Sequence, residues 1–353
     1  MFGMDPNETK KTSGPAAGNG PAAGNGPAAG NGPGAGSGPA PGGAPRGGFG
    51  QMLLRQPRKA VSGIVFSGAV VGMLCASLLF SITIAILSVA LEMSVDAIAG
   101  TEAYRYVSYL LYQVVYLGLI LVYMRVFREK PRAFGYRKTH WRFFVLALVL
   151  ECGLLFSLNW LNDWFVRLLE LIGYEAPGSS IPSVQGFGIV GVLFVVAVLP
   201  AFCEETIFRG LMLEGIKDVG TVAACLLGGL LFSVFHQNPA QTAYQFVCGA
   251  AFTLLAIRAD SLVPAILMHF VNNALIIFDA RFGFLSNLSG GGAAALYAVS
   301  GVCLAAALVW LIFFEKKTNR KKEGPIRPFL YPALTGIILC GVIWVYNLVV
   351  YIA

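Results

Sequence analysis

Long runs of apolar residues, separated by short polar segments, fill the chain from about Gly63 onward. A helix needs roughly 20 apolar residues to cross a bilayer, and nine of these runs approach or exceed that length. The pattern therefore predicts an all-α fold, a polytopic transmembrane helix bundle of about nine spans. Their approximate bounds are 62–91, 105–127, 143–169, 187–208, 219–237, 241–258, 261–279, 293–315 and 330–352.

The segment before the first run follows a different pattern. It is rich in Gly, Pro and Ala, and a six-residue repeat begins at Gly14 and continues to about Gly32. A segment with so few apolar residues cannot offset the conformational entropy lost on ordering. We predict a disordered, cytoplasmic, low-complexity tail over residues 1–60 and a transmembrane helical domain over residues 61–353.

Composition and charge support a membrane protein. Apolar residues make up 56% of the chain, charged residues 12%, and the mean hydropathy is +0.70. The net charge of +7 comes from Lys and Arg in short loops, which is typical of membrane topology, and no nucleic-acid partner is expected. These cations precede the first run and fill the second-to-third and eighth-to-ninth connections. With nine alternating spans they all lie on one side, which predicts a cytoplasmic N-terminus and an external C-terminus.

Ionisable and polar residues interrupt three of the middle apolar runs. A charged group in the hydrocarbon region costs several kcal/mol, so such residues indicate a functional site. Amide side chains in the same runs can hydrogen-bond between helices. The residues concerned are Glu204, Glu205, Arg209, His236, His269 and Asn273.

The spacing of these residues divides them into groups. Glu205 and Arg209 are four positions apart and share a helix face, which predicts an ion pair. Glu204 is then free to point about 100° away around the same helix. His269 and Asn273 are also four positions apart, so their side chains share a helix face and can point into the same small volume. Each residue taken alone has a structural reading, either as an interhelical hydrogen-bond partner or as a packing residue.

Two further polar residues, Gln113 and Glu151, lie in the second and third runs without a patterned partner. We interpret them as packing residues or as possible walls of a pocket.

Three motifs occur in order: Glu204-Glu205-x-x-x-Arg209, Phe232-x-x-x-His236 and His269-x-x-x-Asn273. Together they resemble the signatures of the CAAX-protease and bacteriocin-processing (CPBP, or Abi) intramembrane proteases. The resemblance covers a core at about 185–280. It implies an integral membrane endopeptidase, of a bacterial cytoplasmic membrane, that cleaves a membrane peptide or protein by CAAX-type or leader-like processing.

The resemblance also implies roles for the motif residues. Glu204 with His236 would activate a water molecule, and His269 with Asn273 would stabilise the oxyanion. Glu205 with Arg209 would keep the helix in position and maintain the charge distribution around it.

Other hypotheses remain open at this stage. Glu204, His236 and His269 could instead bind a divalent metal such as zinc, although a separate general base would then be needed. A non-catalytic immunity or scaffold protein of the same fold is one alternative. A small-solute transporter is another, but the chain has no internal repeat with paired broken helices.

The predicted spans leave one difficulty. Glu204 falls near the inner end of its span and His236 near the outer end of the next, about 27 Å apart along an 18-residue helix. We expect residues 187–216 to form a longer helix that brings Glu204 toward the middle of the membrane.

Overall fold

A computed structural model describes residues 57–178, 181–315 and 324–352. The disordered tail predicted for residues 1–60 lies almost entirely outside this part of the chain. The first helix begins at Arg58, so the last three residues assigned to the tail are helical.

The described part of the chain is built from helices, and the all-α prediction is confirmed. An isolated antiparallel bridge joins Tyr174 to Ile352, and no named strand occurs among the described residues. The helices are α1 Arg58–Ala90, α2 Val95–Ala99, α3 Glu102–Phe127, α4 Arg142–Ser157, α5 Asn159–Glu170, α6 Gly188–Ile216, α7 Thr221–Phe235, α8 Thr242–Ala259, α9 Val263–Phe282, α10 Gly290–Phe314 and α11 Arg327–Val350, with short 3₁₀ turns at Pro131–Phe134 and Pro239–Gln241.

Every predicted apolar run is helical. Within the described residues, eight helical segments are long and apolar enough to cross a membrane, and α4 and α5 together make one of them. The remaining run forms α7, a shorter apolar helix of 15 residues. At 1.5 Å per residue, α7 is about 22 Å long, less than the roughly 30 Å of a hydrocarbon core.

The third run divides into two helices at Leu158. Helix α5 is amphipathic, and Trp160 and Trp164 lie four positions apart on its exposed side. Trp in such a position is typical of the membrane–water interface. We therefore expect α4 to lie within the apolar region and α5 to lie near its boundary.

Small residues let several helices approach closely. A Cβ added at Gly229 of α7 would lie only 2.5 Å from Phe246 O, and one added at Gly249 of α8 would lie 2.9 Å from Gly229 Cα. This packing holds α7 against α8, and α11 and α10 pack in the same way on α1 and α4. Close contact through small residues is the usual way that membrane helices associate.

Helix α6 carries two π-helical segments, Leu193–Val198 and Thr206–Met212, on either side of the α-helical segment Leu199–Glu205. Pro200 at the start of that segment has no N–H, so it cannot continue the α-helical hydrogen-bond ladder. Wide turns of this kind often occur at functional sites. The expected long helix over residues 187–216 is confirmed, with Glu204 well inside it.

Candidate active site

A cavity of about 880 Å³ lies between α3, α6, α8 and α9. Its walls include Glu204 from the middle of α6 and His236 from the end of α7. His269 and Asn273 of α9 line the same cavity. Four predicted site residues therefore line one cavity, which Glu204 reaches from the middle of the long α6 and His236 from the end of the short α7.

The predicted ion pair between Glu205 and Arg209 is present. Arg209 Nη1 donates to Glu205 Oε1 at 2.9 Å, and both side chains are almost completely buried. Arg209 Nη2 donates to Gly249 O at 2.9 Å, and the guanidinium lies 4.5 Å from the ring centroid of Phe232. A buried charge needs such compensation, so this pair joins α6 firmly to α8.

His269 is oriented by the same carboxylate. Its Nδ1 lies 2.9 Å from Glu205 Oε1, and the residue is only 6% exposed. Glu205 Oε1 also accepts from Arg209 Nη1, so Nδ1 of His269 carries a hydrogen and donates it to the same oxygen. The other ring nitrogen, Nε2, is left for the cavity that His269 lines.

His236 is held in a similar way by the backbone. Its Nδ1 lies 2.7 Å from Phe232 O, one helical turn earlier on α7. A carbonyl oxygen can only accept, so Nδ1 donates and a neutral His236 has its lone pair on Nε2. The chain turns sharply after His236, because Gln237 has a positive φ of 52° and Pro239 follows.

Glu204 differs from its neighbour in its surroundings. It is partly buried, lines the cavity and makes no ion pair among the described residues. Its Oε2 has no hydrogen-bond partner within the described part of the chain; the same holds for Glu205 Oε2, but only Glu204 lines the cavity. A buried oxygen without a protein partner is available to a bound molecule.

Asn273 has a structural contact as well as a place in the cavity wall. Its Nδ2 donates to Val196 O at 2.9 Å. Pro200, four residues after Val196, has no N–H to give that carbonyl in an α-helical register. One Nδ2 hydrogen of Asn273 therefore bonds to α6, and the second is available to a molecule bound in the cavity.

Sequence reasoning missed a polar cluster beside these motifs. Asn272 Nδ2 donates to Glu151 Oε1 at 2.6 Å and to Tyr244 OH at 2.8 Å. Asn272 and Tyr244 line the cavity, and so does Gln113, in agreement with its interpretation from the sequence as a possible pocket wall. The usable signals were a carboxylate inside an apolar run and a second Asn beside Asn273.

The donor side chains of the cavity are not arranged as a metal site. Across the described residues, no group of three or more His, Cys, Asp and Glu is placed to hold a metal ion. Glu204, His236 and His269 share the cavity without forming such a group, so the arrangement of these three side chains does not fit a metal ion.

The fold and the cavity define an integral membrane protein whose helices enclose an ionisable site. Residues 186–275 match the family described as type II CAAX prenyl endopeptidase Rce1-like. The match extends from just before α6 into α9 and contains all three motifs. It confirms the resemblance to CPBP intramembrane proteases and supports, in general terms, an intramembrane CAAX-type endopeptidase. Searches of curated proteins and of solved structures return no match.

Proposed function

We propose that this protein is an intramembrane endopeptidase that hydrolyses a peptide bond near the C-terminus of a membrane-associated protein. One observation carries the proposal: Glu204, His236, His269 and Asn273, which come from three motifs in sequence, line a single cavity. The match to the CAAX prenyl endopeptidase family covers the segment that contains these four residues.

The nucleophile in this proposal is a water molecule held between Glu204 and His236. Glu204 offers an oxygen without a partner among the described residues, and His236 offers Nε2 because Nδ1 is bonded to Phe232 O. As the water attacks the scissile carbonyl carbon, its proton passes to this pair. The same proton then passes to the leaving amine, so the pair acts first as base and then as acid.

The oxyanion is stabilised by α9. In this scheme His269 acts as an imidazolium, with Nδ1 donating to Glu205 Oε1 and Nε2 donating to the oxyanion, as a buried carboxylate supports an imidazolium in other hydrolases. Asn273 donates the Nδ2 hydrogen that Val196 O does not use. Donors of this kind contribute about 10²–10³ each to kcat.

Glu205 and Arg209 are positioning residues in this scheme. They keep His269 in one orientation and fix α6 to α8 through Gly249 O. Their near-complete burial keeps them away from substrate.

Incubation of the purified full-length protein in detergent with an S-farnesylated peptide ending in a CAAX tetrapeptide tests the proposal. A membrane-peptide library should be tested in parallel. We expect a new product, labelled with ¹⁸O when the reaction is run in H₂¹⁸O, that Glu204→Gln does not form. Equal product from wild type and Glu204→Gln would overturn the proposed role of Glu204, and no product from any peptide would overturn the endopeptidase function.

A further inference from the structure

The polar cluster beside the motifs consists of Glu151 on α4, Asn272 on α9 and Tyr244 on α8. Glu151 is completely buried, and its Oε1 accepts a hydrogen bond from Asn272 Nδ2 at 2.6 Å. The same Nδ2 donates to Tyr244 OH at 2.8 Å. None of these three residues belongs to the motifs or has a part in the proposed hydrolysis.

These contacts determine how the Asn272 amide is turned. A primary amide nitrogen carries two hydrogens, and here one goes to Glu151 and the other to Tyr244. The amide oxygen Oδ1 therefore points away from both partners. Asn272 lines the cavity three positions after His269, so the cluster presents a neutral hydrogen-bond acceptor beside the candidate active site.

A peptide bound inside this cavity needs such an acceptor. Its backbone N–H groups leave water when they enter a membrane-embedded site, and an unsatisfied buried N–H is costly. In the proposed mechanism His269 and Asn273 act as donors toward the scissile carbonyl, while Glu204 and His236 hold water. None of these four groups is assigned to a substrate N–H.

We propose that Asn272 Oδ1 accepts a hydrogen bond from a backbone N–H of the bound substrate. Glu151 and Tyr244 hold the amide in the accepting orientation. This inference rests on the proposed endopeptidase function and adds a substrate-binding residue, Asn272, to it. Glu151 acts through Asn272, so it is a positioning residue.

The test measures binding, with cleavage blocked by Glu204→Gln in the full-length protein. The probe is a fluorescent, S-farnesylated peptide ending in a CAAX tetrapeptide. In a matched set of peptides, one backbone N–H at a time is replaced by an ester oxygen. We expect one ester analogue to bind about tenfold more weakly than the all-amide peptide. The additional substitution Asn272→Leu should weaken binding of the all-amide peptide by a similar factor. In that variant the ester analogue should bind as well as the all-amide peptide does.

Two further variants separate this role from a purely structural one. Glu151→Gln should weaken binding as well, and it should add little to Asn272→Leu, since both disturb the same contact. Ser300→Ala removes a buried hydroxyl from α10 that does not line the cavity, and this variant should bind every peptide as the parent does. Thermal unfolding of each variant checks that it is folded.

Each result decides the matter. If no single ester weakens binding to the parent, or if Asn272→Leu keeps the ester penalty, the proposed acceptor is wrong, whatever the stability of the variants. If the losses from Glu151→Gln and Asn272→Leu add fully, Glu151 does not position Asn272. If the parent binds no probe, the proposed substrate class fails first and this inference fails with it.

Discussion

Neighbouring glutamates on α6 have different surroundings because successive residues of a helix point about 100° apart. Glu205 turns into the protein, where Arg209 and His269 share its Oε1. Glu204 turns into the cavity and makes no ion pair among the described residues. The same side chain therefore serves as a structural anchor at one position and as a candidate base at the next.

We predict that Glu204→Gln abolishes cleavage and leaves stability near that of the wild type. The amide is nearly isosteric, and Glu204 has no ion pair to lose within the described residues. Glu205→Gln is the matched comparison. It leaves Arg209 buried without its counter-charge and should lower the free energy of unfolding by about 3–5 kcal/mol. Peptide cleavage and thermal unfolding in detergent measure both effects; full activity in Glu204→Gln, or a harmless Arg209→Ala, would contradict the assignment.

Asn273 combines a structural contact with a proposed catalytic one, and the two can be separated. Asn273→Ala should lower kcat by about 10²–10³ with little change in KM. It should also lower stability by about 1 kcal/mol, because Val196 O loses its donor.

Pro200→Ala supplies the control for Asn273. It restores a backbone N–H that Val196 O can accept, so the stability loss of Asn273→Ala should shrink in that background. The loss of kcat should persist. A double variant with wild-type kcat per folded molecule would show that Asn273 only supports α6.

The donor arrangement gives a prediction about metal. Because the described residues contain no group placed to hold a metal ion, metal-free protein should keep wild-type turnover after dialysis against a chelator. Elemental analysis of the purified protein should find no stoichiometric zinc. Near-stoichiometric zinc, with activity lost on chelation and restored on adding metal, would instead support Glu204, His236 and His269 as ligands.

At the scale of whole elements, the site depends on how α6, α7 and α9 meet. The short α7 ends at His236 because the chain turns there, and its glycines let it lie directly on α8. Helix α6 holds the two glutamates between two π-helical segments. A change in the packing of α7 on α8, or in the π-helical segments of α6, therefore moves the candidate catalytic groups relative to each other.

Gly229→Ala tests this dependence. The added Cβ would lie 2.5 Å from Phe246 O, a backbone atom that cannot move aside alone, so α7 must shift. We expect a loss of stability of about 1–3 kcal/mol and a fall in kcat as His236 moves.

Gly301→Ala in α10 is the matched control, since nothing lies within 4 Å of its added Cβ. An alanine there should be neutral or slightly stabilising, by up to about 1 kcal/mol. Equal effects at both positions would contradict the packing argument.

The whole molecule is an integral membrane protein, and its orientation remains a prediction from the loop charges. With α7 counted as a ninth crossing, the two termini lie on opposite sides of the membrane, and the loop charges predict a cytoplasmic N-terminus and an external C-terminus. A phosphatase fused after Ala353 should then be active, and one fused near Lys321 inactive. The reverse pattern would overturn the predicted orientation. Equal activity at both sites would show that the chain has one crossing fewer than predicted.

The sequence alone predicted most of the architecture and the identity of the motif residues. Apolar runs require helices in a bilayer, because no water is present to satisfy an open backbone. The cost of ionisable groups in such runs singled out Glu204, Glu205, Arg209, His236 and His269. The i,i+4 spacing was enough to predict the Glu205–Arg209 pair, since it depends on a single helix.

The rest was decided by tertiary structure, because it depends on contacts between helices far apart in sequence. Spacing does not reveal that Glu205 orients His269 or that Asn273 supports Val196 O beside Pro200. The break at Leu158 and the Glu151–Asn272 contact also depend on neighbouring helices. Hydropathy reports how apolar a segment is, whereas the depth and direction of each side chain follow from packing.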